Sequence, residues 1–135
     1  METKRVNDVG ELPAAMAWLE GQLETLGLHG HPAFGLAVSV DEAVTNVMTH
    51  GSKESGAPQL QVDIQCAPRD GRVVVQIRDN GPAYDPTAHA PAELPQDIEQ
   101  ARIGGHGIRL MSHFVSELRY ERQGGWNVLT LVSGE

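Results

Sequence analysis

Leu60-Gln-Val-Asp-Ile-Gln-Cys66 and Arg72-Val-Val-Val-Gln-Ile-Arg78, joined through Pro68-Arg-Asp-Gly71, form the stretch on which the fold turns. The first segment alternates apolar and polar residues and the second is rich in β-branched ones, both marks of a strand. Pro68-Arg-Asp-Gly71 between them supplies hairpin chemistry. An antiparallel pair is therefore expected. A second is expected where residues 117–122 and 126–132 alternate around Gln123-Gly124-Gly125.

Upstream, residues 11–26 place Leu12, Ala15, Met16, Leu19, Leu23 and Leu26 at helical spacing. Pro13 suits the first turn of that helix and Gly27 its stop. A second helix is expected from about Pro32 to His50, ending at Gly51, before the turn-rich Ser52-Lys-Glu-Ser-Gly-Ala-Pro58. Downstream, residues 82–100 carry four prolines and little periodicity. A loop of that length in a small domain is either a functional lid or disordered. A third helix is expected from near Gly107 to about Val115. The order helix, helix, strand, strand, loop, helix, strand, strand predicts an α/β (α+β) two-layer sandwich. Its sheet would be mainly antiparallel and mixed, with helices on one face. Residues 1–135 would form a single domain with a lid at about 84–104.

The 135 residues carry 10 Lys plus Arg against 18 Asp plus Glu, a formal charge of −8. That balance opposes phosphate-backbone binding and an anionic membrane surface. With aromatics at 4%, a stacking platform for single strands is also disfavoured. No direct nucleic-acid or membrane partner is expected. Cys66 is the sole cysteine, so neither an internal disulfide nor a Cys-rich zinc site can form. It reads as a small buried hydrophobe. The N-terminus lacks a signal-peptide apolar stretch, and a cytoplasmic location is expected.

On a helical wheel with Glu42 at zero, Asn46 lies at about 40° and Thr49 at about −20°, while Leu36, Val40, Val44 and Val47 fall on the far side. One face is thus buried, and the other presents a carboxylate, an amide and a hydroxyl. A carboxylate there can take a proton from a hydroxyl or water, and an amide oxygen suits Mg²⁺. The plainer alternative is a solvated polar face. Asp79, ending the Val-rich strand, can accept a hydrogen bond from a ligand amino group, and Gly81 can let the chain pass close to a planar base. Asp79-Asn-Gly-Pro82 is also strong turn chemistry. In Ile103-Gly-Gly-His-Gly-Ile-Arg-Leu-Met111, glycines before a helix can turn backbone N–H groups toward an anion, or act as flexible punctuation. Arg109 adds charge to phosphate binding or makes a surface pair. Among six scattered histidines, no pair has the company of a transition-metal site. His50, one turn beyond Asn46, is placed to border a ligand, and His106 either donates to phosphate or faces solvent. This is no P-loop, since Gly-Lys-Ser/Thr is missing.

In this order the segments resemble the GHKL nucleotide-binding superfamily, which includes the ATPase domains of gyrase and of sensor histidine kinases. Glu42-Ala-Val-Thr-Asn46 with His50-Gly51 resembles its N box, Asp79-Asn-Gly-Pro-Ala83 its first glycine box, and Gly105-His-Gly-Ile-Arg-Leu-Met111 its second. Within that group the chain is most similar to the small bacterial anti-sigma-factor serine kinases. The resemblance implies a histidine-kinase-like ATPase fold that binds ATP and Mg²⁺. Asn46 would hold the metal, Asp79 would meet the adenine amino group, and Gly105, His106, Gly107 and Ile108 would wrap the phosphates beside Arg109. Glu42 would be the general base toward a protein serine, and Thr130 would match a strand threonine that supports the base pocket. The implied partners are a sigma factor and an anti-sigma-factor antagonist, with a possible homodimer. Two positions depart from the pattern. Ala83 replaces a second glycine, where positive φ would strain it. Trp126-Asn127 stands where many relatives have Gly-Thr. An ATP-binding partner-switching module that transfers no phosphoryl group is the alternative. A histidine-kinase catalytic domain is disfavoured, because no dimerisation or phosphoacceptor helices precede the domain.

Overall fold

The computed structural model describes residues 2–51, 60–83, 85 and 115–134, with Val9 and His50 described by backbone alone. The chain runs through β1 (Glu2–Val6), a 3-10 turn (Val9–Glu11), α1 (Leu12–Thr25), α2 (Gly30–Gly51), β2 (Val62–Arg69), β3 (Arg72–Asp79), β4 (Val115–Gln123) and β5 (Trp126–Ser133). The strands form one sheet in the order β1-β2-β3-β5-β4, and all four pairings are antiparallel. The expected third helix, the lid at about 84–104 and the loop Gly105–Arg109 lie outside the described residues.

Both expected hairpins form, each through a two-residue turn. Asp70 (φ 52°) and Gly71 (φ 80°) join β2 to β3, and Gly124 (φ 51°) and Gly125 (φ 86°) join β4 to β5. Positive φ at both centres matches the right-handed twist of the flanking strands. β2 starts two residues later and ends three residues later than the alternation indicates, and takes in Pro68. Pro68 is tolerated because β1 pairs with β2 only from Val62 to Cys66. Beyond Cys66 the outer edge of β2 is open, and no ladder bond needs the missing N–H. β1 itself was not foreseen.

The helices pack on one face of the sheet. α1 buries Leu12, Ala15, Leu19 and Leu23, and α2 buries Leu36, Val40, Ala43, Val44 and Met48. They close on Val62, Ile64 and Cys66 of β2, Val73, Val75 and Ile77 of β3, and Leu129 and Leu131 of β5. α1 ends in a Schellman motif: Leu28 N donates to Leu23 O (2.9 Å) and Gly27 N to Glu24 O (3.0 Å). Gly27 sits at φ 80° there, a conformation that costs glycine no Cβ clash. At the other end, Glu11 Oε1 accepts from Asn7 N (2.6 Å) and Asp8 N (3.2 Å), fixing the entry to α1. Residues 26–29 turn the chain back, so the C-terminal half of α2 returns toward the end of the sheet where β1 stops and β2 begins.

Cys66 is 2% exposed in the core, and burial pushes its thiol up to about 11. On the opposite face, Arg5 pairs with Asp63 (2.8 Å). The Arg78 guanidinium lies 5.5 Å from the ring centre of Trp126, a cation–π contact.

Candidate functional site

The strand registers line up Val6, Val62, Asp79, Asn127 and Arg122 as one row across all five strands. Directly opposed residues share a face, and Val6 and Val62 are core residues. The row therefore lies on the helix-facing side. It begins apolar and turns polar at its centre, where Asp79 is 4% and Asn127 5% exposed.

A network of hydrogen bonds holds this polar end in place. Asp79 Oδ1 accepts from Asn127 Nδ2 (2.9 Å) and from Gly81 N (3.0 Å). Asn127 Nδ2 also donates to Pro82 O (2.9 Å), tying the strand to the loop after β3. Its Oδ1 accepts from Tyr120 Oη and from Arg122 Nη1 (3.1 Å), and the same Arg122 nitrogen donates to Gly81 O (2.9 Å). Asn80 locks the other side, accepting from Gln61 N at 2.8 Å. Burial raises the Asp79 carboxyl above its ordinary range, offset in part by the bonds from Asn127 and Gly81 and by the charge of Arg122. All donors to Asp79 converge on Oδ1. Among the described residues none donates to Oδ2, which leaves that oxygen available to an amino group.

α2 carries the other candidate side chains. Glu42 and Asn46 are half-buried and Thr49 is exposed, while Leu36, Val40 and Val44 on the far side are fully buried. The two functional side chains stand one turn apart. Among the described residues neither takes a hydrogen bond or ion pair through its side chain. His50 lies one turn on along the same helix, its side chain outside the described residues.

Thr130 does not join this site. It is three residues from Asn127 and opposite Gln76, and side chains alternate faces along a strand. It therefore sits on the face away from Asp79, where it accepts from Gln76 Nε2 at 3.3 Å. Asn127 occupies the place expected of it. Ala83 is exposed, and Asp70 is the single non-glycine residue with positive φ among the described residues. Ala83 therefore carries no backbone strain. Gly81 likewise works through its N–H and carbonyl, not through positive φ. Gly105, His106, Gly107, Ile108 and Arg109 fall outside the described residues. Sequence reasoning missed the roles of Asn127, Tyr120 and Arg122. The Gly124-Gly125 turn was the available signal, since counting outward from it sets Arg122 opposite Asn127.

No described helix is long and apolar enough to cross a membrane. The family model described as "Histidine kinase-like ATPase domain" matches residues 6–133. The serine/threonine-protein kinase BtrW of Bordetella bronchiseptica is 36% identical over 119 residues, spanning 88% of this chain and 82% of that one. The serine-protein kinase RsbW of Listeria monocytogenes is 25% identical over 130 residues, with the same shares of the two chains. An anti-sigma F factor of Priestia megaterium is 33% identical over 84 residues, 61% of this chain and 55% of that one. A crystal structure containing the RsbU and RsbW domains of a Mycobacterium tuberculosis protein has a TM-score of 0.59 and 16% identity. It covers 98% of this chain and 32% of that longer one, a likeness of fold.

Proposed function

The chain belongs to the histidine kinase-like ATPase family, and from that premise we propose that it is an ATP-dependent protein-serine kinase that restrains a sigma factor and phosphorylates a serine of the anti-sigma-factor antagonist. The observation that carries the reading is the division of labour at Asp79. One carboxylate oxygen is held by Asn127 and Gly81, and the other is left for the exocyclic amine of adenine. A guanine, with a carbonyl at that place, would meet a carboxylate instead of a donor.

Glu42 serves as the base. It takes the proton from the serine hydroxyl as that oxygen bonds to the γ-phosphorus, and the bond from phosphorus to the β–γ bridging oxygen breaks to release ADP. Phosphoryl transfer asks the protein chiefly for alignment and charge neutralisation. Asn46 offers one hard amide oxygen, a sparse protein donor set. That set fits Mg²⁺, which keeps waters and phosphate oxygens as its other ligands. No cluster of three His, Cys, Asp or Glu side chains exists among the described residues that would bind a metal by protein alone. When bound, Mg²⁺ neutralises charge on the phosphates. We place His50 at the border of this site and Gly105 to Arg109 around the phosphates.

The alternative of a module that binds ATP without transferring phosphate drew its support from Ala83. That residue is exposed and unstrained, so the support falls away. The reading is tested by isothermal titration of ATP with Mg²⁺ into the wild type and Asp79→Ala. Binding by the wild type and its loss in a folded Asp79→Ala is expected. Equal binding by both would refute the site.

A further inference from the structure

We propose that the groove between α1 and the first turns of α2 docks a cationic amphipathic helix of a partner protein. The groove, about 310 Å³, is floored by Leu23, Leu28, Ala33 and Ala37 and walled by Phe34. Phe34 is 60% exposed, the one exposed large hydrophobic residue among those described. It stands in an otherwise orderly helical layer, whose other large apolar side chains pack into or against the core.

The charge around this groove is one-sided. Between Arg5 and Lys53 the sequence contains no lysine or arginine, while Asp8, Glu11, Glu20, Glu24, Asp41 and Glu42 all fall there. Four of these, Glu20, Glu24, Asp41 and Glu42, lie on the two helices themselves. Glu20 and Glu24, one turn apart, line the groove itself. An occupant with apolar side chains at helical spacing would fill the groove beside Phe34, and its flanking lysines or arginines would reach Glu20 and Glu24. Helix-in-groove recognition has this form, and complementary charge speeds encounter and selects against acidic partners. The helical segment of a second copy is likewise free of lysine and arginine and complements this charge poorly, as does an anionic bilayer or a nucleic acid. Phe34 lies twelve residues before Asn46, about 18 Å along α2 at the helical rise. The occupant therefore leaves the ATP site open. This inference deepens the partner-binding half of the proposed function and does not depend on phosphoryl transfer.

The test uses the full-length ¹⁵N-labelled chain without nucleotide. The probe is a synthetic amphipathic helical peptide with a leucine stripe flanked by lysine and arginine. Its counterpart carries glutamate in place of those cations. Amide shifts centred on Leu28, Ala33, Phe34 and Ala37 are expected with the cationic peptide and not with the acidic one. Phe34→Ala should weaken binding by about fivefold or more, as loss of a central aromatic anchor does. Glu20→Gln with Glu24→Gln should weaken it and flatten its salt dependence. Shifts centred elsewhere, or unchanged binding by Phe34→Ala, would overturn the proposal. So would the same amides shifting with the protein's own concentration, or with phosphatidylglycerol vesicles. ATP binding by the same samples, measured separately, reports on the nucleotide site, so failure of one reading is told from failure of the other.

Discussion

Asn127 on β5 holds Oδ1 of Asp79 on β3 across a directly opposed pair, at 2.9 Å, with both side chains at least nine-tenths buried. The bond does two things. It holds the carboxylate by Oδ1 alone, leaving Oδ2 without a donor among the described residues, and it opposes the burial that favours the protonated acid.

Asn127→Ala is therefore expected to lower ATP affinity by about tenfold, in line with the roughly 1.5–3 kcal/mol of a hydrogen bond to a charged group. It also removes an influence that lowers the Asp79 pKa. The acid side of the pH profile for ATP binding should move to higher pH. Titration calorimetry across pH, with circular dichroism to confirm folding, checks both effects. An unmoved profile would show that the bond does not govern Asp79.

Asp79→Asn should separate binding from stability. Native Asp79 holds its proton more tightly than the unfolded chain does. Its contribution is therefore most favourable below the ordinary carboxylate pKa of about 3.9. It is lost as pH rises from there through the raised native value, and stays lost above it. The amide removes that cost. Thermal unfolding at neutral pH should give a Tm equal to or above the wild type, with ATP binding abolished and the pH slope from this residue gone.

The helical layer should unfold with the sheet as one unit. Leu19 and Leu36, both 0% exposed, touch a shared core, and either substitution to Ala should cost about 2–5 kcal/mol. Urea unfolding followed by tryptophan fluorescence and by far-UV circular dichroism should give coincident curves.

Cys66 should behave as a packing residue. With its thiol buried and pushed up to about 11, reaction with a thiol reagent at neutral pH should be slow in the native protein. In urea the rate should rise along the unfolding curve. Rapid native labelling would place Cys66 outside the core.

α1 was legible because Leu12, Ala15, Leu19 and Leu23 repeat at helical spacing, with Pro13 in the first turn and Gly27 at the stop. The hairpins were legible because Asp70-Gly71 and Gly124-Gly125 are local signals that also fix register. β1 was not, because Glu-Thr-Lys-Arg-Val at residues 2–6 is short and mostly exposed. Its strand conformation comes from pairing with β2, a partner nearly sixty residues away. Asp79 and the pair Glu42 and Asn46 were legible as chemistry placed at element ends and on one helix face. The partner of Asp79 was not, since pairing of β3 with β5 is non-local and no turn sets it. One residue of register separates opposite faces, and three residues separate Asn127 from Thr130.

Phosphoryl transfer itself is followed with labelled ATP. Protein, Mg²⁺ and γ-labelled ATP are incubated with the anti-sigma-factor antagonist, comparing the wild type with Glu42→Gln. Label on an antagonist serine is expected with the wild type. With Glu42→Gln the expected rate is lower by about 10²–10⁴, the usual contribution of a positioned general base, with ATP binding retained. An antagonist left unlabelled by a wild type that binds ATP, or labelled equally fast by both proteins, would contradict the kinase reading with Glu42 as its base.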